Sequence, residues 1–202
     1  RVLFRSIIDP QFGAKVTGKM GKWMVGGLIA NDESSGKVDD PSDPAYGRVA
    51  TVGAVRLRYD IYREAYSGLM FVDREFMSTH SRLMMLDQNL RLGRSGTLGI
   101  TTVFTDHLDA AGTTRRGHFL DFGLVSQKRH LSYIAAYHAT SPDYRNDSGF
   151  VQRLDQRRSF GNISYRWWPE AAVVNWGPRV AYERIYDYAG TLTDEIRGLT
   201  LN

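Results

Sequence analysis

Apolar and polar residues alternate with period two along most of this chain, and no stretch of a dozen residues repeats its apolar positions at intervals of three and four. In Val52–Tyr62, Val55, Leu57, Tyr59 and Ile61 fall on one side of an extended backbone and Arg56, Arg58 and Asp60 on the other, because successive strand side chains point to opposite faces. The pattern returns at His118–Gln127, with Leu120, Phe122 and Leu124 opposite Asp121, Gly123 and Gln127. It returns again at Met84–Leu92, with Met84, Leu86, Leu90 and Leu92 opposite Asp87, Asn89 and Arg91. This predicts an all-β chain of about eleven strands, near 13–20, 23–31, 48–62, 64–73, 82–92, 97–107, 117–128, 130–140, 157–168, 172–187 and 191–201.

The connections between these strands alternate in length. Gly21-Lys22, Tyr62-Arg63, Gly93–Gly96, Arg129 and Pro169-Glu170-Ala171 read as tight turns. Asp32–Gly47, Arg74–Ser81, Leu108–Arg116 and Ser141–Gln156 read as longer polar loops, and only the last link, near Tyr188–Gly190, breaks the series. Tight turns at one end, loops at the other, and alternating strands of ~10 residues are the pattern of an antiparallel up-and-down transmembrane β-barrel, whose closed ladders satisfy every backbone group without a long apolar run. Trp23, Tyr62, Tyr165, Trp167, Trp168, Trp176, Tyr186 and Tyr188 are expected near strand ends, the level of a membrane interface.

Composition narrows the function classes. The 202 residues contain no cysteine, which removes disulfides, thiolate metal sites and cysteine nucleophiles. The longest nearly continuous apolar run, Met24–Ala30, is far below the ~18 residues of a membrane-crossing helix. A net charge of +4 is spread along the chain among acidic residues, unlike the clustered basic patch of a nucleic-acid binder, so no nucleic-acid partner is expected. Only five of the 26 cationic residues are Lys, so the positive charge is carried by Arg, which forms planar bidentate pairs. The chain opens on Arg without a leader segment and is expected to be a single partial barrel domain, 1–202, cut from a longer protein.

Two segments carry a resemblance. Gly13–Trp23, a strand turning directly into the next, and Gly149–Arg157, the end of a long loop running into a strand, resemble a family of bacterial outer-membrane barrel proteins. Members of that family bear an N-terminal domain similar to family 9 carbohydrate-binding modules, followed by a large C-terminal barrel of unknown function. The resemblance implies a location in the bacterial outer membrane, contact with its lipid, and a missing N-terminal domain as partner within the same chain. Sugar binding by that missing domain does not pass to these residues.

On the barrel reading, Lys15, Lys19, Arg56, Arg58, Asp60, Asp73, Asp87, Arg91, Asp121, Arg158, Arg166, Arg179 and Glu183 line the lumen. Val55, Leu57, Tyr59, Ile61, Leu120, Phe122 and Leu124 face lipid. Lumen charges of opposite sign on neighbouring strands pair and stiffen the wall, and they set the field of any aqueous passage.

No catalytic set, metal site or cofactor is assigned. Gly13–Met20 has the glycine and lysine spacing of a phosphate-binding loop, but Met20 stands where the magnesium-holding hydroxyl belongs and no helix follows. His80, His107, His118, His130 and His138 never stand two or four apart. His130-Leu131-Ser132 has a base and a hydroxyl two apart, both directed away from lipid. Asp39–Asp43 lacks the spacing of an EF-hand loop. The expected role is passage or surface binding of a solute such as a glycan. A soluble all-β binding module, with the Val55–Ile61 face buried against a second sheet, and a membrane-associated hydrolase stay open as alternatives.

Overall fold

A computed structural model describes residues 7, 9–147, 153–169 and 174–201. Eleven strands form one antiparallel sheet in which each pairs only with its neighbours in the chain. They are β1 (Pro10–Met20), β2 (Trp23–Asp32), β3 (Ala50–Tyr62), β4 (Ala65–Phe76), β5 (Thr79–Leu92), β6 (Gly96–Leu108), β7 (Thr114–Gln127), β8 (Leu131–Thr140), β9 (Gln156–Tyr165), β10 (Pro178–Tyr186) and β11 (Leu192–Leu201). A 3-10 turn over Glu33–Gly36 follows β2, and the described residues contain no α-helix. The period-two segments are strands because an extended backbone is the conformation that separates their apolar from their charged side chains.

Register defines the two faces. One row of opposed residues runs Lys19, Met24, Arg58, Gly68, Asp87, Thr101, Asp121, His138, Arg158 from β1 to β9, and Arg56 is two residues from Arg58 on the same face. On the other face the row is Val25, Leu57, Leu69, Leu86, Thr102, Leu120, Ala139 from β2 to β8.

The two faces differ in exposure in the sense opposite to a water-soluble sheet. On the Arg56 face Val52, Met70, Val72, Leu83 and Val103 are buried, and so is the carboxylate-bearing Asp87, at 8% exposure. On the Leu57 face Val55 is 57% exposed, and Leu69, Phe71, Met84, Leu86 and Phe104 are each above 40%. Among the described residues one hydrophobic cluster is buried, joining Met70, Val72, Leu83 and Val103 to Tyr144. Tyr144 comes from the 15-residue connection between β8 and β9, and its ring packs on the Arg56 face. Gly117 makes this close approach feasible, since a Cβ there would stand 2.2 Å from the Tyr144 Cα.

Several expectations need correction. The β4–β5 link is a two-residue turn, Met77-Ser78, because β4 and β5 extend beyond the predicted ends to pair Phe76 with Thr79. The β9–β10 link is no tight turn: it runs from 166 to 177, and β10 begins at Pro178 rather than near 172. Of the expected strand start, residues 172–173 lie outside the described residues, and Trp176 makes an isolated bridge to Trp167. The alternation of short and long connections therefore fails at these two links. Of the segment Gly149–Arg157, residues 149–152 lie outside the described residues.

Candidate functional site

The Arg56 face carries a ladder of ion pairs built by register. Arg56 donates from Nη2 to both carboxylate oxygens of Asp87 at 3.0 and 2.7 Å, reaching from β3 to β5. It crosses β4 at Gly68, whose missing side chain leaves the path open: a Cβ there would lie 2.5 Å from Asp87 Oδ1 and 3.1 Å from Arg56 Nη2. Lys19 and Arg58 converge on Asp60 at 3.2 and 2.9 Å, and the Arg58 guanidinium stacks 3.9 Å over the Tyr66 ring. Asp121 meets His138 Nδ1 at 2.6 Å, and Arg158 grips Glu183 with two bonds of 2.9 Å. Arg91 bonds Thr97 at 3.4 Å and the Arg94 carbonyl at 3.0 Å, near Glu64. Paired charges of this kind fix side-chain positions more than they add stability, since desolvation offsets much of the Coulomb gain.

Asp73 departs from the expected set. It lies on the Leu57 face, opposite Gly53 and Arg82, and its carboxylate accepts from Arg82 at 3.3 Å. The cause is that β4 is apolar on both faces here: Leu69 and Phe71 are exposed, Met70 and Val72 buried, so charge alone could not give the parity. With Arg82 it belongs to an end cluster that includes Glu75, His80, Asp106 and Arg116, linked at 2.9 to 3.3 Å. Lys15, Arg179 and Arg166, the last just beyond β9, are on the Arg56 face. Val55, Leu57, Tyr59, Leu120, Phe122 and Leu124 share the opposite one, while Ile61 stands at the register shift between Asp60 and Tyr62, which breaks the alternation there.

The β8–β9 connection adds residues that sequence reasoning missed. Its Asp147 carboxylate lies 3.3 Å from His107 and 3.8 Å from Arg74, and its backbone N–H donates to Ser81 Oγ at 3.3 Å. Tyr144 packs at 6.2 Å from the Phe119 ring, and burial pushes its phenol above the usual tyrosine range. The signal in sequence is weak, a single tyrosine within the polar stretch Ser141–Gly149.

The near-miss motifs have ordinary places. Gly13–Met20 is continuous strand, with Lys15, Thr17 and Lys19 on one face. Ser132 Oγ bonds Ser164 Oγ at 2.7 Å while His130 Nδ1 meets the Arg166 carbonyl at 3.0 Å, so the two are not a nucleophile and its base. Asp40 accepts from the N–H and hydroxyl of Ser42, which hold its carboxyl below the ordinary range, and Asp43 accepts from Ala45 N. These carboxylates close turns. Among the described residues no three His, Asp or Glu side chains are grouped to hold a metal ion.

At the turn end Trp23, Tyr59 and Tyr165 stand on the Leu57 face, whereas Tyr66 is on the Arg56 face. Trp23 packs on Tyr59 at 4.7 Å, and Tyr165, Trp167 and Trp176 form a chain at 5.0 and 4.6 Å. Compared with protein-family models, curated proteins and solved structures, the chain matches none.

Proposed function

We propose that the chain forms the wall of an outer-membrane β-barrel, with the Leu57 face against lipid and the Arg56 face lining the interior, and that it serves the passage or surface binding of a polar solute such as a glycan. The observation that carries this reading is the inversion of the two faces: large apolar side chains are exposed on one side of a sheet whose other side buries the carboxylate of Asp87 and hydroxyl groups. A soluble module of this size would cover that surface with a second layer.

The edge of the apolar belt is a second support. Going from the turn end, its first carboxylate or guanidinium groups are Asp73, Arg82, Asp106 and Arg116, one register row across β4 to β7, and Arg197 on β11. A band of apolar residues bounded by charge is what the lipid face of a barrel wall requires. Gln88 and Ser67 interrupt the belt with uncharged groups. The exposed Trp23, Tyr165, Trp167 and Trp176 fit an interfacial girdle. The likeness of Gly13–Trp23 and Gly149–Arg157 to outer-membrane barrels that bear a carbohydrate-binding-like domain points the same way.

Fractionation of the intact protein, with circular dichroism and gel mobility in detergent before and after heating, tests the proposal. The expected result is a β-rich protein of the membrane fraction whose mobility shifts on heating. A monodisperse β-rich protein in plain buffer overturns it.

A further inference from the structure

The charges of the Arg56 face do not cancel. Asp60, Asp87, Asp121, Glu183 and Asp194 each have a basic partner. The guanidinium groups of Arg166 and Arg179 have no ion-pair partner among the described residues. Both stand at the end of β9 and the start of β10. Arg179 opposes Ser164, and Arg166 is two residues beyond Ser164 on the same face. They line one pocket of about 180 Å³ with Gln127, Ser132, Asn162 and Ser164.

Two like charges sharing a concavity repel each other, and an anion between them turns that repulsion into two charge-assisted bonds. Guanidinium is the group suited to this, because its planar fork matches two oxygens of a carboxylate or phosphate. The rest of the lining is uncharged and, Ile134 apart, carries hydrogen-bonding groups. Two amides supply donors and acceptors, and because Ser132 and Ser164 share one proton along their 2.7 Å contact, a second hydroxyl proton is left to point elsewhere. The volume corresponds to roughly six waters, enough for one sugar ring or one oxyanion with its nearest hydroxyls.

We propose that this pocket binds an oxyanion carried on a hydroxylated body, the carboxylate of a uronic acid or the phosphate of a sugar phosphate, with Arg166 and Arg179 on the charged oxygens and Gln127, Asn162 and the serine hydroxyls on the neighbouring hydroxyls. The inference deepens the solute-binding part of the reading above and does not need a bilayer.

Isothermal titration of the intact protein with glucuronate, glucose 6-phosphate, inorganic phosphate and glucose tests it. At least one of the two charged sugars binds, on the order of tenfold or more tighter than glucose and inorganic phosphate, with affinity that falls as salt is raised. Which of the two binds tells carboxylate from phosphate. Arg166→Gln and Arg179→Gln each weaken binding by on the order of tenfold, while Arg94→Gln in the β5–β6 turn leaves it unchanged. Should the glutamine variants not fold, by circular dichroism and heat-shifted mobility, Arg166→Lys and Arg179→Lys keep the charge, lose the fork, and weaken binding by a smaller factor. Equal binding of glucose, binding untouched in the Arg166 and Arg179 variants, or no binding of either charged sugar overturns the site. Inorganic phosphate binding as tightly as the sugars overturns the role given to the amides and hydroxyls. A protein that stays monodisperse in plain buffer would sink the membrane reading and leave this titration to be run there unchanged.

Discussion

Replacing Tyr144 by alanine separates the docking of the β8–β9 connection from the integrity of the sheet beneath it. The ring is 3% exposed and packs among Met70, Val72, Leu83 and Val103. Loss of a buried aromatic side chain costs about 3–5 kcal/mol. The low end applies here, because the vacated space opens toward solvent as the loop lifts and can fill with water. The strands are held by their own ladders, so the cost of about 3 kcal/mol falls on loop docking and raises the undocked fraction by on the order of a hundredfold. Hydrogen exchange reads this at the Asp147 amide, which donates to Ser81 Oγ across the interface. Its exchange should quicken by on the order of a hundredfold, with the β4–β7 ladder amides unchanged. Unchanged exchange at Asp147 would show that the ring does not hold the loop. Equal acceleration in the strands would show that loop and sheet open as one unit, and either outcome refutes the reasoning. Alkali gives an independent perturbation. The Tyr144 phenol titrates above its ordinary value because it is buried. Its contribution is therefore complete below the unfolded value of about 10 and is lost as pH rises through the raised one, so the same amide should lose protection there.

Leu86→Arg, at a site 45% exposed on the Leu57 face, should cost about 2–4 kcal/mol in a lipid bilayer by urea titration; a change within about 0.5 kcal/mol would place the residue in water. Gly68→Ala drives a methyl group into the Arg56–Asp87 pair and should destabilise by about 1 kcal/mol, whereas Gly123→Ala on the same face, with nothing within 4 Å of its Cβ, should change stability by less than about 0.5 kcal/mol in the same denaturation assay. Arg56→Met should destabilise more than Asp87→Ala, because the first strands a carboxylate 11% exposed at its side chain and the second frees a guanidinium 36% exposed; the reverse order would mean that the pair does not set the environment of Asp87. In the β10–β11 loop, Asp187 accepts from Thr191 N, which holds its carboxyl below the ordinary range. The loop's order is thus complete above the unfolded value of about 3.9 and lost only as pH falls through the lowered one. Protection of the Gly190 amide that is already lost above pH ~4 would contradict that sign.

Strand positions were legible because period two is a local signal: one face of each strand meets a different environment from the other, and the sequence must alternate to match. The signal disappears where both environments accept apolar groups. Leu69-Met70-Phe71-Val72 shows this, with two exposed and two buried residues in one run, and charge alone therefore points Asp73 to the wrong face. It also misleads just before Pro178, where the described Trp176 makes an isolated bridge to Trp167 and β10 begins two residues later.

The contacts that organise the Arg56 face were out of reach for a different reason, which is that they join residues through a third position. Arg56 and Asp87 could each be placed on that face from sequence, but their pairing requires that the strand between them present no side chain where the two meet. Gly68 meets that condition only once the β4–β5 register sets it opposite Asp87. A glycine elsewhere in β4 would leave the two charges apart with the same composition and alternation. The docking of Tyr144 has the same form, since it depends on Gly117 admitting a backbone within van der Waals distance. At both places the informative residue is the one without a side chain, and its meaning depends on which neighbours the register brings to it. Alternation therefore fixes where a charge points, while small residues at particular register positions decide what it meets.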